Sequence, residues 1–117
     1  MASIQEVVQV LATRSGVDAV IVLGRDGLTI DARAAPELDT ESLAALVPPV
    51  ADACSNLGSA GLRGHFFTAV MEYDTGLAIV AEITDESLLV VLVKPDTNVG
   101  KLLYELRRHR SAIADLL

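Results

Sequence analysis

The sequence has few aromatic residues and little to brace it covalently or through metal. It holds no tryptophan, two phenylalanines and two tyrosines. A core must therefore be built from Val, Leu, Ile and Ala, with little gained from large rings. The single cysteine, Cys54, excludes an internal disulfide and fits a reducing compartment. One cysteine and two histidines, His65 and His109, form no metal-ligand set at a usual spacing. Basic residues are a minority, nine against sixteen acidic, for a net charge of −7. A nucleic-acid backbone or an anionic membrane needs a positive footprint, so neither is expected as the main partner. The longest pure apolar runs, such as Leu88 to Val93, fall far short of the roughly 20 residues of a membrane span. The N-terminal MASIQEVVQV has no basic n-region and carries Glu6 within its apolar stretch, unlike a signal peptide. A cytoplasmic protein is the expectation.

Catalytic and nucleotide-binding signatures are also missing. There is no G-x-x-x-x-G-K-[ST] loop and no G-x-G-x-x-G. Gly58, Gly61 and Gly64 do not stand between a strand and a helix as a nucleotide loop requires, and read as a mobile connection. Cys54 has the periodicity of a core position and reads as a structural thiol. His109 lies in the run Arg107-Arg108-His109-Arg110, near the end of a helix where positive charge suits the dipole. That run reads as a solvated face, with a binding patch as the alternative. Asp85-Glu86 reads as a solvated turn pair rather than an acid–base pair. No nucleophile, base and oxyanion set emerges, so no catalytic, cofactor-binding or metal-binding residue is expected.

What remains is a chain of 117 residues, 51% apolar, which is one domain's length and enough for a core. Ser3-Ile4-Gln5-Glu6 has the pattern of a capping box, and Ile4, Val7, Val8 and Leu11 share a helical face. Gly16 is the expected stop. Val17 to Leu23 and Leu28 to Ala32 read as a hairpin around Asp26-Gly27. After a loop containing Pro36, Asp39 or Thr40 caps a second helix with Leu43, Leu46, Val47, Val50, Cys54 and Leu57 in helical spacing. Pro48 and Pro49 within it predict a kink, or two short helices end to end. Phe66 to Tyr73, Leu77 to Ile83 and Leu88 to Val93 read as three strands in an antiparallel meander. A last helix starts at Pro95-Asp96-Thr97-Asn98, with Val99, Leu102, Leu103, Leu106, Ile113, Leu116 and Leu117 on one face. The order α-β-β-α-β-β-β-α gives a mixed α/β (α+β) class, a mainly antiparallel sheet with helices packed on it, in a single domain over residues 1–117.

Two features point outward. From Ser42 to Leu62 the only charged residue is Asp52, whereas a helix facing water carries charge along its outer side. The third strand holds both phenylalanines at its start and Glu72 as its only charge, with no Lys, Arg or Pro to blunt an edge. Its alternation sets Phe67, Ala69, Met71 and Tyr73 on one side and Phe66, Thr68, Val70 and Glu72 on the other. The bare strand predicts pairing with the same strand of a second copy, and the outward side of the helix reads as a protein interface, with burial inside its own domain as the alternative. The candidate interface residues are Ala45, Pro49, Asp52, Ala53 and Asn56 on the helix, with Phe67, Ala69, Met71 and Tyr73 on the strand.

The chain resembles the Roadblock/dynein light chain family over nearly its whole length. The resemblance is carried by Gly16-Val17-Asp18-Ala19-Val20-Ile21-Val22 leading into Arg25-Asp26-Gly27-Leu28, then Asp74-Thr75-Gly76, then Leu89-Val90-Val91-Leu92-Val93 followed by Asn98-Val99-Gly100-Lys101-Leu102. It implies a five-stranded antiparallel sheet with one helix on one face and two on the other. It implies dimerisation through the third strand and second helix, with a continuous sheet across the dimer. It further implies a small Ras-like GTPase as partner, whose hydrolysis some members accelerate without a catalytic residue of their own. Other members are scaffold or dynein subunits, so a scaffold without a GTPase is the alternative, and a small-ligand sensor a second one. The matching residues Asp26, Gly27, Gly76, Asn98 and Gly100 read as structural. Pro48-Pro49 departs from the family's pattern within the helix used at the dimer centre.

Overall fold

The computed structural model describes residues 3–117. Helix α1 (Ile4–Ala12) opens as its capping pattern predicts, the Ser3 hydroxyl accepting from the Glu6 amide at 3.2 Å. It ends before Gly16. The Thr13 hydroxyl donates to the Val10 carbonyl at 2.8 Å and the Thr13 amide to Gln9 at 3.1 Å, closing the last turn. Gly16 (φ +86°) instead lets the chain swing into strand β1 (Val17–Gly24).

Strand β2 (Thr29–Ala34) pairs antiparallel with β1. The turn between them is organised by Asp26, whose carboxylate accepts from the Leu28 amide at 3.0 Å, and by Gly27 at φ +86°. The strand begins and ends later than its apolar pattern predicts, because the ladder with β1 continues to Ala34 opposite Ala19 while Leu28 is consumed by the turn.

Helix α2 (Thr40–Ala60) is one element of 21 residues that runs through Pro48 and Pro49, so it is not two short helices. The prolines remove two consecutive backbone donors, but Ala44 and Val47 before them and Ala51 after them are all buried against the same sheet. Packing along a shared face outweighs the local loss. At its start the Asp39 carboxylate accepts from the Ser42 amide (3.2 Å) and hydroxyl (2.7 Å). At its end the Arg63 amide donates to Gly58 (2.8 Å) and the Leu62 amide to Ser59 (3.2 Å). This is a Schellman closure with Leu62, not glycine, in the left-handed position at φ 56°.

Strand β3 (Thr68–Tyr73) starts two residues after the predicted Phe66. It is followed by β4 (Gly76–Thr84) and β5 (Ser87–Val93). At the β3–β4 turn Gly76 has φ +155°, and a Cβ there would stand 2.5 Å from the Val93 carbonyl oxygen, so no side chain fits. Helix α3 (Val99–Ala114) is capped by Asn98, whose side chain accepts from the Lys101 amide at 3.1 Å. Leu102, Leu106 and Ile113 are buried; Leu117, expected on the same face, lies past the helix and is exposed.

The five strands form one antiparallel sheet in the order β2-β1-β5-β4-β3. Alternation sends successive residues to opposite cores. Val20, Val22, Ile79, Ala81, Leu89 and Val91 pack under α1 and α3, while Ile21, Leu23, Val80, Leu88 and Val90 pack under α2. One helix therefore covers one face and two cover the other. The inner strands are buried on both sides, which is why β1, β4 and β5 read as continuous apolar runs. The two edges are β2 and β3.

Candidate protein interface

The outward side of α2 is built by the helical repeat. With Ala44, Val47 and Ala51 turned into the sheet, Ala45, Pro49, Asp52, Ala53 and Asn56 fall on the opposite side, and all five are exposed. Leu46 (66% exposed) and Leu57 (76%) flank this row. Sequence reading places both among the core contacts, because periodicity alone does not tell the edge of a buried stripe from its centre. Cys54, also expected in the core, is half-buried near the end of the helix, where α2 runs out towards the β3 side.

Asp52, the one charge of this face, is engaged within the chain. Its carboxylate takes the Arg25 guanidinium at 3.0 Å. Arg25 also reaches Glu82 on β4 at 2.7 Å, and its Nε donates to the Asp85 carbonyl at 2.9 Å. The Glu82 side chain is 8% exposed, and its second oxygen meets His65 Nε2 at 2.6 Å. Each oxygen of this buried carboxylate thus has a partner, as burial of a charge requires. The chain Asp52–Arg25–Glu82–His65 fastens α2, the β1–β2 turn, β4 and the segment leading into β3 to one another. Sequence reading missed this network. The available signal is Glu82 itself, a lone charge in the otherwise apolar run Leu77 to Ile83.

Strand β3 lies at the sheet edge with nothing paired on its far side among the described residues. Within β3, from Thr68 to Tyr73, the structure keeps the predicted alternation. Ala69 and Met71 stand opposite Val80 and Ala78, and Met71 packs with the α2-side core. Thr68 and Val70 stand opposite Ala81 and Ile79, on the α1/α3 side. Phe67, Val70 and Tyr73 are all exposed. Phe66, expected on the side of Thr68 and Val70, is instead half-buried against the α2-side core that Met71 also meets, because it precedes the strand and is not bound by its alternation.

The start of β3 is gripped from α3. Arg110 donates to the Phe67 carbonyl (3.4 Å) and the Thr68 hydroxyl (3.3 Å), and its guanidinium lies 4.5 Å from the centre of the Phe67 ring. His65 meets the same ring edge-on at 5.3 Å. Partial burial lowers the Arg110 pKa from its ordinary value, with Glu82 acting in the opposite sense and Arg107 adding to the fall. The guanidinium stays protonated throughout. Arg107, Arg108 and His109 are exposed, so the basic run divides into three solvated residues and one that turns back onto the sheet.

The nine candidate interface residues thus fall into two groups, five on the outer side of α2 and four at the adjoining edge, with Ala69, Met71 and Tyr73 on β3 and Phe67 just before it. All nine are exposed or half-buried. Among the described residues no group of three His, Cys, Asp or Glu side chains is placed to hold a metal ion. No helix among them is long and apolar enough to cross a membrane.

Comparison with known proteins agrees with this architecture. The Roadblock/LC7 domain model matches residues 3–93, which leaves α3 outside the match. Among solved structures the chain is similar to Myxococcus xanthus MglB (18% identity, 97% of this chain and 93% of that one, TM-score 0.87). It is similar to a Roadblock/LC7 domain from Streptomyces avermitilis (20% identity, 96% and 95% covered, TM-score 0.84). It is also similar to the gliding protein MglB of Thermus thermophilus (21% identity, 97% and 87% covered, TM-score 0.83). No curated protein matches it in sequence. With the domain match spanning most of the chain and the sheet, helices and element order in agreement, the chain belongs to the Roadblock/LC7 domain family.

Proposed function

We propose that this chain is a cytoplasmic, homodimeric, non-catalytic regulator or docking platform for a small Ras-like GTPase. The observation that carries the reading is the pairing of an exposed, charge-poor α2 face with an unprotected β3 edge beside it. Self-pairing of β3 satisfies that edge and sets the two α2 helices next to each other over a ten-stranded sheet. Ala45, Pro49, Asp52, Ala53 and Asn56, with Phe67, Ala69, Met71 and Tyr73, form the contact. Small side chains at Ala45 and Ala53 allow close approach, and Leu46, Leu57 and Tyr73 supply apolar area.

The GTPase partner follows from the family resemblance, and the relatives that carry the MglB name support a regulatory role of this kind. One solved MglB is described as having a tetrameric arrangement, which supports self-association as a habit of the fold. In this reading the dimer favours one conformation of the GTPase switch regions by binding it more tightly than the other. Its own side chains hold and orient, and supply no nucleophile or base. The test is binding of the purified protein to its cognate small GTPase loaded with GDP or with a non-hydrolysable GTP analogue. The expected result is a difference in Kd of about tenfold or more between the two states. Equal or absent binding in both would remove the GTPase and leave the scaffold reading.

A further inference from the structure

Strand β3 carries opposite charge at its two ends. At its start lie Arg110, which sits on Thr68, and Arg63 and Arg107, which line a cleft of about 420 Å³ with His65, Phe67 and Thr68. None of these three arginines has a carboxylate within ion-pair distance among the described residues, although the chain has sixteen acidic side chains. The Nε of Arg110 is buried without a hydrogen-bond partner. At the other end of the strand Glu72 and Asp74 are exposed and pair with no cation among the described residues. Antiparallel self-pairing brings the positive start of one strand to the negative end of the other, twice. Parallel pairing would set like charges together.

The register follows from the backbone. The Phe67 carbonyl accepts from the Glu82 amide at 2.9 Å, so Phe67 faces β4 and, by alternation, Thr68, Val70 and Glu72 turn their backbone groups to the open side. These same residues carry their side chains on the α1/α3 side. Two copies that share both the ladder and the face must oppose an even-numbered residue to an even-numbered one. Centring the two-fold axis on Val70 sets the two exposed valines against each other and puts Thr68 directly opposite Glu72. Centring it one residue later, on Met71, would leave each Val70 facing a carboxylate instead.

We propose that Arg110 and Glu72 form a reciprocal pair of ion bridges between two copies of this chain, which fixes the antiparallel orientation and the register of the shared sheet. The inference rests on the dimer proposed above and adds its register and charge logic. Opposed residues in such a ladder have Cβ atoms about 5 Å apart, within reach of a glutamate and an arginine already resting on Thr68. The bridge gives the unpaired Arg110 the acidic partner its own chain withholds, and the contact becomes specific for a second copy.

Charge reversal tests it. Arg110→Glu and Glu72→Arg are each expected to weaken self-association about tenfold, since every homodimer then holds two repulsive contacts. Mixed, the two variants are complementary at both ends. Native mass spectrometry of the mixture, in which the three dimers differ in mass, should show the heterodimer well above half of all dimer. A wild-type dimer whose variants keep its Kd would overturn the bridge while sparing the dimer. So would a mixture in the statistical 1:2:1 ratio, because an Arg110 that merely anchors its own strand cannot be rescued from the other chain. Rescue of Arg110→Glu by Asp74→Arg instead of Glu72→Arg would overturn the register. A monomeric wild-type protein would remove the dimer and the bridge with it.

Discussion

Helices α2 and α3 pack on opposite faces of one sheet, and their outer sides could hardly differ more. Around its buried stripe of Leu102, Leu106 and Ile113, α3 carries Lys101, Glu105, Arg107, Arg108 and His109, the dress of a helix facing water. Around Ala44, Val47 and Ala51, α2 presents Ala45, Leu46, Pro49, Ala53, Asn56 and Leu57, and its single mid-helix charge, Asp52, is held by Arg25. Both helices bury a comparable inner stripe, so the inner faces do not distinguish them. The outer faces do. The interface proposed on α2 rests on that difference, an outer face without solvent-facing charge that remains exposed.

The sharpest way to break this contrast is to give both helices the same new charge. Ala53→Glu on the outer side of α2 should weaken self-association on the order of 100-fold, because each copy buries an unpaired carboxylate at the contact. Ser111→Glu, an exposed position on α3, should leave it unchanged. Analytical ultracentrifugation of both variants decides between them; equal behaviour would abolish the distinction between the two helices.

The next effect concerns what holds α2 to the sheet. Removing Arg25 leaves the buried Glu82 carboxylate with His65 alone and frees Asp52. Arg25→Ala should therefore cost about 2–3 kcal/mol of unfolding free energy, measured by urea denaturation at fixed protein concentration. A smaller effect, of opposite sign, is expected at the end of the helix. Leu62 occupies a left-handed conformation and is 90% exposed, so it bears the backbone strain with little packing in return. Leu62→Gly should stabilise the chain by about 1 kcal/mol. If the same variant weakens partner binding, the exposed leucine belongs to a contact surface.

The smallest effect lies at the start of α2. The Ser42 hydroxyl, and then its amide, hold the Asp39 carboxyl below its ordinary value. A folded-state value below the unfolded one means that the stabilisation is complete above the unfolded value and is lost as pH falls through the folded one. Asp39→Ala should lower Tm slightly at neutral pH, and the difference from wild type should vanish in strong acid. A difference that persists there would assign the effect to something other than the charged cap.

The contrast between the helices also shows what the sequence makes legible. The hairpin around Asp26-Gly27 and the meander at Gly76 are readable because each turn depends on one residue's backbone freedom, which is a local property. The bareness of α2 and the unblunted β3 edge are readable because they are statements about missing charge. The continuity of α2 through Pro48 and Pro49 is not readable, since propensity sees two lost donors and cannot weigh the buried residues on either side of them. Gly16 misleads for a related reason. It fits a helix stop, yet Thr13 has already closed the helix and the glycine serves the entry into β1. Glu82 goes unnoticed because its partners, Arg25 and His65, come from distant parts of the chain. Long-range pairing of that kind exists only once the sheet is built.

The central claim is that α2 and β3 together form a self-association surface. Light scattering on the purified protein at micromolar concentration tests it most directly. The account predicts a mass twice that of the 12.3 kDa chain, lost on Ala53→Glu and kept on Ser111→Glu. A wild-type mass of 12.3 kDa at that concentration would contradict it.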